Sequence, residues 1–359
     1  MRLLNFCFPL LASVSIASPV LETNLALAAA SRHLTTPAVA DQSDLDNFKL
    51  YAKYAGASYC NIGNLGAPTF CKGNLCLDNT TTLARFTGAT TDIAAYLSVN
   101  SYRKELVVGV RGSYNIRNWL ADLRFLQASC PYGAMCRVHR GFWQAFQDIT
   151  DDSFYEALRE SIHNYPDYNV TVTGHSLGGA VALLLGSYIR EEFESVNVDI
   201  YTYGAPRVGN VVFMNYLRNQ PGKEYRITHF DDQVPRLPPA SYLGYAHSTP
   251  EYWLRDGPAN RLIYTPEEVI ECTGYVNMDC SGSGYWPGVI SHLYYFVKMT
   301  ECGDGHSHGH MDLGDLPRFA ETTWNKTGYD KDLLERLEMF AQMDQQYAEV
   351  VAEVSNPTS

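Results

Sequence analysis

A mostly parallel β-sheet flanked by helices, an α/β fold, is what this sequence predicts, and three stretches carry the prediction. The run Asn169-Val-Thr-Val-Thr173 is a buried-strand pattern that passes through Gly174-His175-Ser176-Leu177-Gly178-Gly179 straight into the helix pattern Ala180-Val-Ala-Leu-Leu-Leu185. Leu106-Val-Val-Gly-Val110 is a second short apolar strand. Tyr225-Arg-Ile-Thr-His-Phe-Asp231-Asp232-Gln-Val-Pro235 reads as a third, ending in a proline-marked loop, where open α/β sheets carry functional side chains.

The first stretch has the layout of a nucleophile elbow. A serine on so sharp a strand-to-helix turn needs small neighbours, because side chains at Gly174 and Gly178 would collide with the adjoining strand and helix. The turn lifts the Ser176 hydroxyl clear of the sheet and aims the Leu177 amide, at a helix N-terminus, where an oxyanion would form. A serine hydroxyl is a poor nucleophile until a base takes its proton. The elbow therefore predicts a carboxylate and then a histidine further along the chain. Asp231 and Asp232 both end the third strand. Adjacent residues on an extended chain point to opposite sides, so only one of them can face the site, and the spacing alone does not choose. Downstream histidines are His247, His292 and the group His306, His308 and His310. His292 is favoured because it leads an apolar run, Leu293-Tyr-Tyr-Phe296, that can anchor it, whereas His247 lies in a polar, turn-like stretch. His139, His175 and His229 read as hydrogen-bonded structural histidines.

At these residues the chain resembles the secreted fungal class 3 triacylglycerol lipases, over about Asp44 to Cys302. The matching blocks are Arg111-Gly-Ser113, Gly174 to Gly179, Tyr203-Gly-Ala-Pro-Arg-Val-Gly-Asn210, Arg226-Ile-Thr-His229 with Asp232-x-Val-Pro235, His247-Ser-x-Pro-Glu-Tyr-Trp253 and His292-Leu-x-Tyr-Phe296. The resemblance implies an α/β-hydrolase fold, Ser176 as nucleophile, Asp232 rather than Asp231 as orienter and His292 as base. It implies Ser113 as the second oxyanion-hole residue beside Leu177. Ser113 also sits in the loop leaving the Leu106–Val110 strand, from which this architecture supplies its other amide. In Ile116-Arg-Asn-Trp-Leu-Ala-Asp-Leu123, the apolar residues Ile116, Trp119, Leu120 and Leu123 share one helical face. Taken alone that face reads as core, but the resemblance implies a lid that covers the site in water and opens on lipid. Two rivals remain: a feruloyl-type carboxylesterase, whose lid is polar and fixed, and a non-catalytic lipid-binding relative. Trp119 and Leu120 argue against the first, and the presence of every triad residue argues against the second.

The remaining features suit an exported hydrolase. Arg2 followed by Leu3 to Ile16, with Ser15 and Ala17 flanking a cleavage point, reads as a signal peptide over residues 1–17. The Ala/Thr/Ser-rich stretch 18–43 reads as a propeptide or N-terminal extension, 44–302 as the catalytic domain, and 303–359 as a linker and a C-terminal helix. No other run approaches transmembrane length. Of nine cysteines, eight remain after Cys7 leaves with the signal peptide, an even number that points to disulfides. Short spacing favours Cys71 with Cys76, Cys130 with Cys136 and Cys272 with Cys280, leaving Cys60 with Cys302. The resemblance implies all but the Cys272 pair. A net charge of −12 argues against nucleic acid and anionic membranes. No metal, phosphate-loop or dinucleotide pattern appears in the core, so no cofactor is expected; the resemblance implies an acylglycerol substrate met at an oil–water interface, and the enzyme is expected to be a monomer. His306, His308 and His310 alternate, but without firm ligand spacing they read as a solvated Gly/Ser/His linker.

Asp330 to Val354 reads as a helix with Leu333, Leu337, Phe340, Ala341, Tyr347 and Val351 on one face. After Asp330 it has six more acids (Asp332, Glu335, Glu338, Asp344, Glu349, Glu353) against Lys331 and Arg336. It is expected to dock on the catalytic domain or on a partner. Sequons begin at Asn79, Asn169 and Asn325; Asn169 is expected to be buried, leaving Asn79 and Asn325 for glycans.

The lid expectation has a direct test. Activity on tributyrin should jump as its concentration passes the solubility limit, because an apolar face gains from meeting oil rather than water. Burying Trp119 in lipid contributes roughly 2 to 3 kcal/mol to the open state, so Trp119→Ala should shrink the jump while sparing hydrolysis of dissolved ester. Equal loss on dissolved and emulsified ester would make this helix an ordinary core or pocket wall.

Overall fold

The computed structural model describes residues 38–60, 65–69, 71–113, 124–283, 290–303 and 331–355. The signal-peptide segment, the lid residues Ile116, Trp119, Leu120 and Leu123, the histidines His306, His308 and His310, and Asn325 lie outside the described residues. A nine-stranded sheet organises the fold: β1 (Ala38–Val39), β2 (Thr80–Thr87), β3 (Ala94–Asn100), β4 (Glu105–Val110), β5 (Asn169–His175), β6 (Val198–Tyr203), β7 (Glu224–His229), β8 (Glu251–Leu254) and β9 (Val269–Cys272). Their spatial order is β1-β9-β8-β7-β6-β5-β4-β3-β2. Strands β4 to β8 run parallel, and only β3 and β9 oppose the others, so seven of nine share one direction.

The helices are α1 (Gln42–Ala57), α2 (Arg140–Ile149), α3 (Asp152–Asn164), α4 (Leu177–Glu192), α5 (Val211–Arg218) and α6 (Lys331–Ser355). Strand β4 shows why its sequence has no polar face. Leu106, Val108 and Val110 pack into the core formed with α2 and α4, whereas Val107 points the other way, into the core formed with α1. The α1 side is rich in tyrosine. Tyr201 and Tyr225 stack at 4.4 Å, and Phe48 of α1 meets Tyr225 edge-on at 5.6 Å. Buried hydroxyls in this layer find backbone acceptors: Tyr203 donates to the Phe48 carbonyl at 2.6 Å and Tyr96 to that of Tyr54 at 2.8 Å.

The folded domain reaches N-terminal of Asp44. Ala38 and Val39 pair with Glu271 and Ile270 of β9, and Asp41 caps α1 by accepting the Asp44 N–H at 2.8 Å. All four expected disulfides are present. Cys60–Cys302, with Cα atoms 5.0 Å apart across 242 residues of sequence, joins the turn that follows α1 to the end of the described segment 290–303. Cys71–Cys76, Cys130–Cys136 and Cys272–Cys280 staple short loops. The long clasp contributes on the order of 3 to 5 kcal/mol in the chain-entropy account.

One expectation is corrected. Asn169 is exposed, because it is the first residue of β5 and precedes the point where the strand enters the core. Asp344 of the C-terminal helix is buried with Leu333, Leu337, Ala341 and Val351 where α6 docks on the rest of the fold. Asn79 is exposed. Among the described residues no helix is long and apolar enough to cross a membrane, and no group of three or more His, Cys, Asp or Glu could hold a metal ion.

Buried histidines give the fold an acid-side weakness. His139 caps α2 by accepting the Phe142 N–H on Nδ1, so it must stay neutral, and burial depresses its pKa from 6.5 to about 4. Burial likewise lowers His175, His229 and His247. The unfolded chain takes up these protons below about pH 6.5 and the folded chain does not, so this stabilisation is complete above that pH and is lost as pH falls. The melting temperature should drop on acidification from pH 7 towards 4.5. His139→Asn, which keeps a capping acceptor that does not titrate, should show a shallower drop; matching slopes would remove His139 from this account.

Candidate active site

The site lies at the C-terminal ends of the central parallel strands. Ser176 follows β5 with φ 59° and ψ −130°, a left-handed conformation that costs about 1 to 3 kcal/mol in a non-glycine residue and persists only where its surroundings fix it. Those surroundings are backbone. The Ser176 N–H donates to the Tyr203 carbonyl of β6 at 2.9 Å, and the Ser176 carbonyl accepts from Gly179 and Ala180 at the start of α4. A Cβ on Gly174 would overlap the Gly178 peptide, and one on Gly178 would overlap the Val110–Gly112 backbone. The loop leaving β4 therefore lies directly against the elbow: a Cβ on Gly112 would meet the His175 carbonyl and the Ser176 side chain. The half-buried Ser113 is the next residue of that loop, and the leading amides of α4 have no partner within the helix.

Asp232 and His292 meet, and Asp231 and His247 do not join them. His292 lies in a single 3-10 turn, Ser291–Leu293, and its Nδ1–H donates to Asp232 Oδ2 at 2.8 Å, both side chains being fully buried. The same oxygen accepts the Tyr295 hydroxyl at 2.5 Å, while Oδ1 accepts the Val234 N–H at 2.9 Å. With Nδ1 carrying the proton, His292 Nε2 is the basic nitrogen; it is buried and makes no hydrogen bond among the described residues. Asp231 points away and accepts the Ser291 hydroxyl; burial raises its pKa. His247 donates through Nε2 to the Pro235 carbonyl and is held neutral by burial.

Three ties fix the His292 turn. His175 donates through Nε2 to the His292 carbonyl at 2.6 Å, which leaves its Nδ1 to accept the Tyr59 hydroxyl at 2.8 Å. His229 donates through Nδ1 to the Ser291 carbonyl at 2.9 Å and accepts the Tyr264 hydroxyl. Asp231 supplies the third through the Ser291 hydroxyl. His175 and His229 are structural, as their sequence context suggested, and the structure they maintain is this turn. Sequence reasoning missed Tyr295 and Gly204. Tyr295 carried a signal, since it falls three residues after His292 in the His-Leu-x-Tyr-Phe block. Gly204 has φ +58°, and a Cβ there would lie 2.8 Å from Asp232 Oδ2 and 2.9 Å from both His292 Nδ1 and the Tyr295 oxygen. It leaves the room in which the three groups meet.

A strained serine between a parallel strand and a helix, preceded by His175 whose ring lies 4.5 Å from that of a histidine tied to a buried carboxylate, defines the chain as a serine hydrolase of the α/β-hydrolase fold. Comparison with known proteins narrows this. Residues 107–242 match the family described as Lipase (class 3). The secreted mono- and diacylglycerol lipase 1 of Fusarium solani is 37% identical over 309 residues, covering 85% of this chain and 87% of that protein. The crystal structure of a mutant of MDLA from Penicillium cyclopium superposes with a TM-score of 0.66 at 31% identity, over 73% of this chain and 99% of the other. A triacylglycerol lipase structure, described as having a serine protease triad as its catalytic centre, gives 0.66 at 29% identity over 74% and 100%. The chain belongs to the class 3 lipase family.

Gly204→Ala tests the space around the carboxylate. Its methyl must push Asp232 and His292 apart, so turnover should fall by roughly 10²-fold with little change in KM. Asp232→Asn should cost on the order of 10³- to 10⁴-fold by favouring the wrong imidazole tautomer, and Asp231→Asn less than about tenfold. Equal losses at the two aspartates would separate the buried contact from turnover.

Proposed function

We propose that this secreted lipase hydrolyses acylglycerol esters at lipid–water interfaces, with Ser176 as nucleophile, His292 as general base and acid, and Asp232 as orienter. The single observation that carries the residue assignment is a buried His292 whose Nδ1–H is held by Asp232 and whose Nε2 makes no hydrogen bond among the described residues. In the first half-reaction Ser176 Oγ attacks the ester carbonyl and its proton passes to His292 Nε2. The developing oxyanion is received by the Leu177 and Ser113 amides, and the leaving alcohol takes the proton from Nε2. In the second half-reaction water, deprotonated by the same nitrogen, attacks the acyl-Ser176 carbonyl. Collapse returns the proton to Oγ and releases the fatty acid.

Asp232 stabilises the imidazolium as it forms; Tyr295 and the Val234 amide keep it from rotating. The acylglycerol substrate is supported by the names of the relatives, which include both mono- and diacylglycerol and triacylglycerol lipases. Interfacial action is supported by burial: Ser176 is 1% exposed and His292 fully buried, so a long-chain ester must gain entry before it meets the nucleophile.

Ser176→Ala should abolish hydrolysis of tributyrin and of p-nitrophenyl butyrate while leaving the circular dichroism spectrum unchanged, since only the attacking oxygen is removed. His292→Ala should lose nearly as much, and His247→Ala far less. Substantial activity in folded Ser176→Ala, or a reversed order for the two histidines, would refute the assignment.

A further inference from the structure

Helix α6 reaches the loop that carries Asp232. Leu333 and Leu337 form one apolar cluster with Val234, Leu237 and Leu293, residues that flank Asp232 and His292 in sequence, and the cluster extends to Phe125 and Phe340, whose rings meet edge-on at 5.4 Å. Further along the same face, Asp344 is buried against Arg207 at 2.7 Å and accepts the Ala240 N–H at 2.6 Å. Arg207 is itself buried. Its guanidinium donates to the Arg236 carbonyl at 2.6 Å and the Pro238 carbonyl at 2.8 Å, and its backbone N–H donates to the Leu237 carbonyl at 2.7 Å. Arg207 and Asp344 thus both bond residues 236–240, and the N-terminal end of that same loop supplies the Val234 N–H to Asp232 Oδ1.

This arrangement exceeds what anchoring a tail requires. A surface helix can dock on apolar contacts alone, whereas a buried carboxylate opposite a buried guanidinium costs desolvation at both groups and is recovered only where geometry is good enough for several hydrogen bonds. Here the bonds converge on one loop. The residues of that loop nearest Asp232 are also those that α6 covers with leucine. We infer that α6 is a strap in which Asp344 is a positioning residue for the reaction, acting through Arg207 and the 234–240 loop on the orientation of Asp232. Asp344 itself touches neither substrate nor His292. The inference rests on the triad reading above and extends it to a segment 112 positions beyond Asp232, as their residue numbers show.

The test is a double-mutant cycle on the full chain with dissolved p-nitrophenyl butyrate, which reports chemistry without an interface. Asp344→Asn retains an acceptor for the Ala240 N–H and removes the charge opposite Arg207; it should lower kcat about tenfold with KM within about twofold. In an Asp232→Asn background the same substitution should cost less than about twofold, because the contact through which it acts is already lost. Leu337→Ala, which loosens the strap without stranding a charge, should show the same pattern and serves if Asp344→Asn folds poorly. Equal factors in both backgrounds, an unchanged kcat in both folded strap variants, or a raised KM at constant kcat would overturn the inference alone. Wild-type turnover in Asp232→Asn would instead overturn the triad assignment and this inference with it.

Discussion

A carboxylate held out of water beside an imidazole is the constraint around which the rest of this structure is arranged. Asp232 is 1% exposed, and desolvating a charge costs several kcal/mol unless donors replace the lost water. The replacements are His292 Nδ1–H, the Tyr295 hydroxyl and the Val234 amide, drawn from two segments separated by 60 residues. Each demands something further. The imidazole needs its turn fixed, which His175, His229 and Asp231 accomplish; the tyrosine and histidine need room, which Gly204 leaves; the amide needs its loop held, which engages Arg207 and Asp344. Polar residues scattered across the sequence are buried for reasons that trace back to one carboxyl group.

The sheet makes these demands compatible. Parallel strands β5, β6 and β7 end at the same level, so the elbow, the Tyr203–Gly204 turn and the aspartate loop emerge side by side. Backbone bonds then transmit position from strand to strand: Ser176 N–H to the Tyr203 carbonyl, and Gly204 N–H to the Ile227 carbonyl at 3.0 Å. Because both faces of the central sheet are packed, the strand ends have little freedom to drift, and the strained Ser176 backbone is retained.

A second buried ion pair lies next to the site. Arg226 of β7 donates to Glu251 of β8 at 2.9 Å, and Glu251 also accepts from the Thr228 hydroxyl at 2.6 Å and the Ser281 N–H at 3.2 Å. Arg226 in turn donates to the Ser248 carbonyl, which fixes the stretch carrying His247. The family-like block His247-Ser-x-Pro-Glu-Tyr-Trp253 is therefore accounted for by a structural network behind the aspartate loop. His247 had the residue type for catalysis and was placed elsewhere by its neighbours.

Local pattern was sufficient for much of this protein. The strand-serine-helix succession around Ser176, the continuous apolar run of β4, the short cysteine loops and the apolar face of α6 are each written within some twenty residues, where periodicity and sterics act directly. The choice between Asp231 and Asp232 was not, because alternation says only that the two point apart; which one faces inward depends on the Phe230 backbone, φ +38°, and on where Tyr295 and His292 lie. The same holds for Gly204, whose importance is visible only when three distant side chains converge on its missing Cβ, and for Asp344, whose buried partner Arg207 lies far from it in sequence. Sequence fixes which residue types are available and which face of an element is apolar. Whether a given polar group meets water or a partner is decided by long-range packing, and that decision made one aspartate a catalytic candidate and another the buckle of a strap.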